Sequence, residues 1–415
     1  MDSLTGTTSG LPYPLAETRA RQFGGATSIW AGYCALFDAL DFENRPGVRE
    51  VGWPIDAGEL TRHYARAAEL LNLDDAGFDA ERFRTPGIDN PVRCDPERFQ
   101  ASVWRFGSPK ADFAVSHHPA IDTSRSVHVL LSTCVIDIEV ARSGASVTQL
   151  KVRSAIGRTG TIKGRCFILA AGGIETARLL LASRSRYRDG VANGSGMVGR
   201  GFMEHPHLTV EGIEMRDDLD LAEWTGPSQD ASGAFFARLL GMSERSQRSE
   251  HLLNARAHLF RTPAMTAEAS PRLGVFFEQS PDPHSRVTLG NKLDEFGMPR
   301  VNLHWTIAQA DRRSHKAVTA AMAEQLVRIG CARATGPFAL SPQILHSNHQ
   351  LGTTRMSAHP KSGVVDPDCR AHDLSNLYIA GGSVFPSTSW ANPTMTVLAL
   401  SLRLGQHLVH RLGDA

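Results

Sequence analysis

The sequence has no Cys-x-x-Cys pair, no run of eighteen apolar residues and no surplus of either charge. Its six cysteines, Cys34, Cys94, Cys134, Cys166, Cys331 and Cys369, are scattered. That spacing speaks against a zinc knuckle or a disulfide framework and reads as reduced, mostly buried thiols. Without a long apolar run, no membrane-spanning segment is expected; the apolar stretch at the C-terminus is interrupted by Arg403 and Gln406. The 44 basic and 43 acidic residues leave a net charge of +1, so electrostatics make no case for nucleic acid or an acidic lipid surface. Six of the 44 are lysine, a skew that reads as genome composition rather than function. No leader peptide is visible, which points to the cytoplasm with the periplasm left open. There are no repeats or low-complexity tracts, and 41% apolar content over 415 residues suits one large core or two smaller ones.

What is present concentrates in the last seventy residues, where HQLGTTRM (349–356) is followed by GGSVFPSTSWANPTMTVLALSLRLGQHL (381–408). A histidine such as His349 can take a proton from a carbinol at neutral pH, because its unperturbed pKa lies near that range. Asn392 offers a neutral hydrogen bond to the same oxygen. Asn is also a preferred N-cap and Pro393 suits a first helical position, so a final helix capped by Asn392 is expected. The N-terminus of such a helix carries partial positive charge and free N–H groups, which suit an anion. His205 and His207 in EHPH, and His346 with His349, have spacings that metal sites use. No acidic or cysteine partner completes either set, and no metal is expected.

The stretches 126–140 and 147–152, separated by RSGAS, read as a hairpin, with 166–171 as the next strand. Gly172 and Gly173 let the backbone pass close to a ligand, and 174–183 has the apolar spacing of a helix packed on a sheet. From about His207 to Leu303 the runs 208–213, 273–278 and 286–289 suggest an antiparallel sheet forming a separate substrate layer. The stretch 312–329 reads as a long amphipathic helix, and 84–97 and 225–233 as linkers. The expected class is α/β (α+β): a discontinuous Rossmann-like cofactor domain, 17–204 with 340–415, and an antiparallel-sheet substrate domain, 205–339.

Taken in order, these segments resemble the glucose-methanol-choline (GMC) family of FAD-dependent oxidoreductases. The run from His349 to Leu408, including VVDPDCRAHDLSNLYIAGGS (364–383), resembles the family's C-terminal signature. RQFGGATSIWAG (21–32) resembles the segment running past the flavin, and GWPIDAGELTRHYARAAELL (52–71) the helix after it. FILAAGGIETARLLLAS (167–183) resembles the strand, turn and helix of the cofactor domain, and GMVGRGFMEHPHL (196–208) the exit from it. The likeness covers most of the chain from about Arg21, is weakest over 211–271, and is strongest to the branch acting on sugars and polyols. It implies an FAD-dependent oxidoreductase of CH–OH donors, with His349 as general base and Asn392 orienting the substrate oxygen. Its implied flavin contacts are Gly24, Gly25, Thr27, Trp30, Val135, Ala171, Gly172, Gly382, Ser383, Asn392, Pro393 and Thr394. Trp30 and Phe37 have a plain reading as core, but the neighbouring GGATS favours proximity to the flavin. Some relatives attach FAD covalently through a histidine before this tryptophan; Ile29 stands there, so FAD is expected to be non-covalent. The implied substrate is a small alcohol or sugar, with oxygen, a quinone or an electron-accepting protein all open as oxidant.

The beginning of the chain departs from the pattern. Family members open with a strand, a GxGxxG turn and a helix that hold the FAD pyrophosphate. A βαβ unit needs roughly 30 residues, and the stretch before Arg21, MDSLTGTTSGLPYPLAETRA, reads as turn-rich coil. The chain is therefore expected to lack the GxGxxG unit, as a fragment, a misplaced start or a degenerate gene, and to retain FAD poorly. A second reading accompanies this one: a truncated, non-catalytic remnant serving as a binding or subunit-interaction protein.

Overall fold

The computed structural model describes residues 4–75, 77–87, 90–261 and 270–413. Asp56 starts the helix Ala57–Leu70, its carboxylate accepting the N–H of Glu59 at 3.0 Å and so satisfying one of the donors a first turn leaves unpaired. Leu60 and Ala67 are buried, and the helix packs along the C-terminal helix Thr394–Gly413.

The half of a doubly wound unit is present. Phe167–Leu169 pairs in parallel with Leu377–Ile379, and the helix Gly172–Ala182 follows at once. Gly172 is left-handed, with φ 79°, a conformation that favours glycine. At Gly173 the constraint is space, since a Cβ would collide with the Gln350 carbonyl. Ile174, Ala177 and Leu180 bury the inner stripe of this helix completely, each large apolar side chain stabilising the fold by about 1.5–3 kcal/mol.

The hairpin also forms, as Thr133–Val140 against Val147–Ser154, and gains a third strand, Thr159–Lys163. It does not start at 126. Residues 126–132 have strand-like composition but pair with no strand, and Leu130 and Leu131 stand 61% and 64% exposed.

The layer expected to meet the substrate is a seven-stranded sheet. Its order is Ala332–Leu340, His207–Met215, Arg272–Phe277, Ala255–Phe260, Phe235–Met242 and Phe99–Phe106, with Ser228–Gln229 paired to Phe235–Met242. Every pairing is antiparallel. Side chains alternate across a strand, so Leu208, Val210, Leu240, Leu259, Val275 and Phe277 share one face. They pack against Val318, Met322 and Leu326 of the helix Gln309–Arg328. The opposite face carries Trp104, Arg256, His258, Phe276 and His207, and Arg256 lies under the ring of Trp390 at 4.6 Å. This second face borders the candidate site.

Four expectations need correction. The opening is not all coil: Gly6–Gly10 is a strand, parallel to Pro299–Trp305. Its side chains are all exposed, so main-chain hydrogen bonds hold it and no apolar pattern announces it. The run from Arg286 is a strand, Arg286–Leu293, but it belongs to this small sheet beside the helix Gly172–Ala182 and not to the substrate layer. The stretch 225–233 is no linker, because Ser228–Gln229 folds back onto Phe235–Phe236; of 84–97, residues 88–89 lie outside those described. Lastly, the GxGxxG spacing does occur, at 194–199, but in turns from which no helix begins. It therefore offers no helix N-terminus to a phosphate.

Candidate active site

Two loops meet at the site. The first lies opposite the extended segment 203–207: Met203 and Leu351 exchange main-chain hydrogen bonds at 3.0 and 3.1 Å, and His207 and Leu345 do so at 3.0 and 2.9 Å. Between these pairings residues 346–350 bow outward, with Asn348 left-handed at φ 64°. The Glu204 carboxyl fills the bow and accepts the N–H groups of Ser347 and His349. Burial raises its pKa to about 8, against the pull of those N–H donors.

His205, next in the chain, holds the His349 ring. The two Nδ1 atoms are 2.8 Å apart, with the rings edge to face at 86°. His205 Nε2 lies 3.0 Å from the carbonyl oxygen of Thr388, which only accepts. His205 therefore donates from Nε2, and its Nδ1, in the neutral ring, accepts. The donor across the 2.8 Å contact is then His349 Nδ1, and His349 Nε2 is left with a free lone pair. Burial drives the His205 pKa to about 4; burial first and the neighbouring His205 second push His349 well below its ordinary value. Both rings are neutral near pH 7.

The second loop, 387–392, brings Asn392 to that lone pair, with Nδ2 3.4 Å from His349 Nε2. Asn392 does not cap the final helix. The helix starts at Thr394, with Val397 N donating to the Pro393 carbonyl at 2.8 Å, and Asn392 Oδ1 is buried without a partner. Such an orphan acceptor costs free energy that a bound hydroxyl would recover. The loop is held from below. Ser389, left-handed at φ 61°, donates to Asp41 at 2.6 Å, and the Trp390 indole N–H reaches Asp38 at 3.1 Å. Asp38 also receives Arg256 at 2.7 Å and Asn254 at 2.9 Å. Glu278, ion-paired to Arg45 and Arg49 at 2.6 and 3.0 Å, completes this buried network.

The segments expected at the cofactor converge here as well. Thr353 donates to the Gly173 carbonyl, Gly352 N to the Gly382 carbonyl at 3.1 Å, and Gln350 to the Thr18 carbonyl at 3.0 Å. Arg21 pairs with Glu175 at 3.3 Å, which ties the start of the 21–32 segment to the Gly172 turn, while Trp30 at its far end packs against a cluster that includes Met395 of the final helix. Gly25, Gly172 and Gly381 are left-handed, and nothing lies within 4 Å of where their Cβ atoms would stand. Ala171 is exposed beside them. With Pro393 and Thr394 opening the first turn of the final helix, these residues leave open space where the resemblance expects a flavin.

Other expected contacts have structural duties. Gly24 abuts the Ala114 backbone, and a Cβ at Gly382 would strike Leu351. Thr27 Oγ1 accepts Phe113 N and donates to the Gly24 carbonyl, and the Trp30 indole N–H is spent on the Ala111 carbonyl at 2.8 Å. Val135 packs on the main core, and Ser383 is fully buried with its hydroxyl against Thr354. Among the described residues these side chains are thus engaged with the protein itself. Sequence reasoning missed Glu204, His205 and the Thr388 carbonyl as parts of the site. Its signal was the EHPH spacing, weighed only for metal; His205 instead pairs with His349, and His207 with His258 at 3.0 Å.

A strand and Gly-Gly turn leading into a helix, an antiparallel sheet and a His-Asn pair make up an α/β architecture with one candidate site. The profile of the GMC oxidoreductase family matches residues 281–401. Paromamine 6'-oxidase of Streptomyces fradiae is 30% identical, over 92% of this chain and 77% of that one. Fructose dehydrogenase large subunit of Gluconobacter japonicus is 29% identical over 60% of this chain. The match spans about half of that relative's length, 48%. A solved formate oxidase of Aspergillus oryzae RIB40 shares the fold, with TM-score 0.59 and 16% identity over 95% of this chain and 85% of that one. The chain belongs to the GMC oxidoreductase family, whose cofactor is FAD. Among the described residues no helix is long and apolar enough to cross a membrane.

Proposed function

We propose that this protein oxidises the CH–OH group of a sugar or related polyol, with His349 as general base and Asn392 orienting the reacting oxygen. The observation that carries the reading is the chain of contacts from Thr388 O through His205 to His349, which leaves a lone pair on His349 Nε2 facing Asn392. The substrate hydroxyl donates its proton to His349 Nε2, while Asn392 Nδ2 donates to the same oxygen as negative charge develops on it. FAD, when bound, supplies the acceptor for the hydride that leaves the carbinol carbon as the carbonyl forms. The names of the fructose and paromamine relatives support a sugar hydroxyl as donor.

FAD is held non-covalently on this reading, since Ile29, 55% exposed, has no nucleophile. The cofactor layer comprises 17–204 and 340–415 without the strand Phe99–Phe106, together with the small sheet around Arg286–Leu293. The substrate layer is the remainder of 205–339 with Phe99–Phe106 added.

The test is anaerobic flavin reduction by a panel of sugars and polyols in the flavin-loaded protein. His349→Ala should slow reduction by about 10²-fold or more, the usual worth of a general base, with flavin content unchanged. Equal rates for His349→Ala and the parent would remove the assignment.

A further inference from the structure

The substrate-layer face beside the candidate pair carries a second group of rings. His207 lies flat on Phe276, at 4.3 Å and 2°, and His258 on Phe260, at 5.4 Å and 26°. Trp104 meets Phe276 edge-on at 5.3 Å. The Nε2 atoms of His207 and His258 are 3.0 Å apart. A Cβ at Gly274 would come within 2.7 Å of His207 Nε2, 2.8 Å of His258 Nε2 and 2.9 Å of Phe260, so glycine there is what lets both imidazoles lie across the sheet. His207, His258, Phe260 and Phe276 are each half-buried rather than sealed in the core.

Two routes place this face next to His349. Along the extended segment, His207 follows His205 by two residues, which puts it on the same side at about 7 Å, close to the span of one hexose ring. Across the sheet, His258 is two residues beyond Arg256, which sits under Trp390 two residues before Asn392.

We propose that the face formed by His207, His258, Phe260 and Phe276 binds the part of the substrate beyond the reacting carbinol, and that it takes an uncharged ring, a neutral sugar or glycoside, rather than a protonated amino sugar. The proposal rests on the reading of His349 and Asn392 as the site of alcohol oxidation. Of the two imidazoles, one donates and one accepts across the 3.0 Å contact, and a further proton would put charge into a ring cluster with no counter-ion. Burial accordingly drives His207 to about 4. Flat ring faces accept the C–H face of a sugar, and His207 Nδ1, with no partner among the described residues and not enclosed, is left for a hydroxyl. Among the described residues no carboxylate is hydrogen-bonded or ion-paired to this ring cluster. Asp38 has its charge balanced by Arg256, whose guanidinium shares Oδ2 with Asn254 and Trp390, and Glu204 is held by the main chain of Ser347 and His349. One face of Phe276, a surface that would draw a cation, is covered by His207. Discrimination thus comes from denying the charge a partner.

The test uses the flavin-loaded protein with two probes: phenyl β-D-glucopyranoside, neutral, and paromamine, an amine protonated near neutral pH. Calorimetric binding and flavin reduction are both read. The glucoside should be favoured by at least ~10-fold, and His207→Glu, which installs a carboxylate on this face, should cut that preference by ~10-fold or more through KM. His207→Gln, which stays neutral, should weaken the glucoside and keep the order of the two probes. Equal or tighter binding of paromamine by the parent overturns the proposal, as does binding of neither probe, or a folded His207→Glu with the preference unmoved. If the glucoside binds preferentially but no alcohol reduces the flavin, the His349–Asn392 reading fails, and of this proposal only the preference of the face for an uncharged ring survives.

Discussion

Replacing His205 by Phe removes the one acceptor that fixes the Nδ1 proton of His349 while leaving a ring of similar size in a fully buried position. His349 then has no reason to keep its proton on Nδ1, and the tautomer with Nε2 protonated cannot accept from an alcohol. The bias lost is that of a buried hydrogen bond whose donor has no other partner, about 1–3 kcal/mol. At 1.36 kcal/mol per decade this is roughly a 5- to 150-fold fall in the rate of flavin reduction. The assay is anaerobic rapid mixing of the flavin-loaded variant with a sugar substrate from pH 5 to 9. The pH axis separates an effect on the base from general damage. His349 must be unprotonated to act, and burial and His205 depress its pKa, so the parent's rate should hold down to below pH 6.5 and fall only as pH drops through the depressed value. His205→Asp places a negative charge within hydrogen-bond distance of the same nitrogen, which favours the imidazolium and should move that acid limb upward. A folded, flavin-loaded His205→Phe with a rate within about two-fold of the parent would refute the reasoning.

Asn392→Ala should slow flavin reduction less than His349→Ala, and the denaturation midpoint should change little, within about 0.5 kcal/mol, because Oδ1 has no partner to lose; a loss near the ~1 kcal/mol of an N-cap would restore the capping role. Glu278→Gln leaves Arg45 and Arg49 buried against a neutral group, and a broken buried ion pair costs about 3–5 kcal/mol; urea unfolding that moves by under about 1 kcal/mol would show the network to be slack. Asp41, whose pKa burial and the charges of Asp38 and Glu278 raise to about 7, contributes stability that is complete below about pH 4 and lost as pH rises through 7. The urea midpoint should therefore decline over that range, and the decline should flatten in Asp41→Asn.

Local pattern alone carried much of this protein. An apolar strand running into Gly172 and Gly173 marked the start of Gly172–Ala182, because period and left-handed turns are properties of a few adjacent residues, while the helix Ala57–Leu70 was expected from the likeness of 52–71 alone. The likeness of HQLGTTRM and the NPT run singled out His349 and Asn392 for the same reason. Long-range pairing was out of reach. Nothing local tells Phe99–Phe106 to join strands more than a hundred residues later, or Gly6–Gly10, with every side chain exposed, to lie beside Pro299–Trp305; sheet partners are chosen by burial and register across the whole fold. The chemistry of the pair was decided at the same level. A histidine's tautomer depends on what faces its second nitrogen, and here that is His205, fixed in turn by the Thr388 carbonyl 183 residues further on. The sequence by itself pointed to His349; only the tertiary structure, by closing that chain of hydrogen bonds, determined which of its nitrogens carries the lone pair.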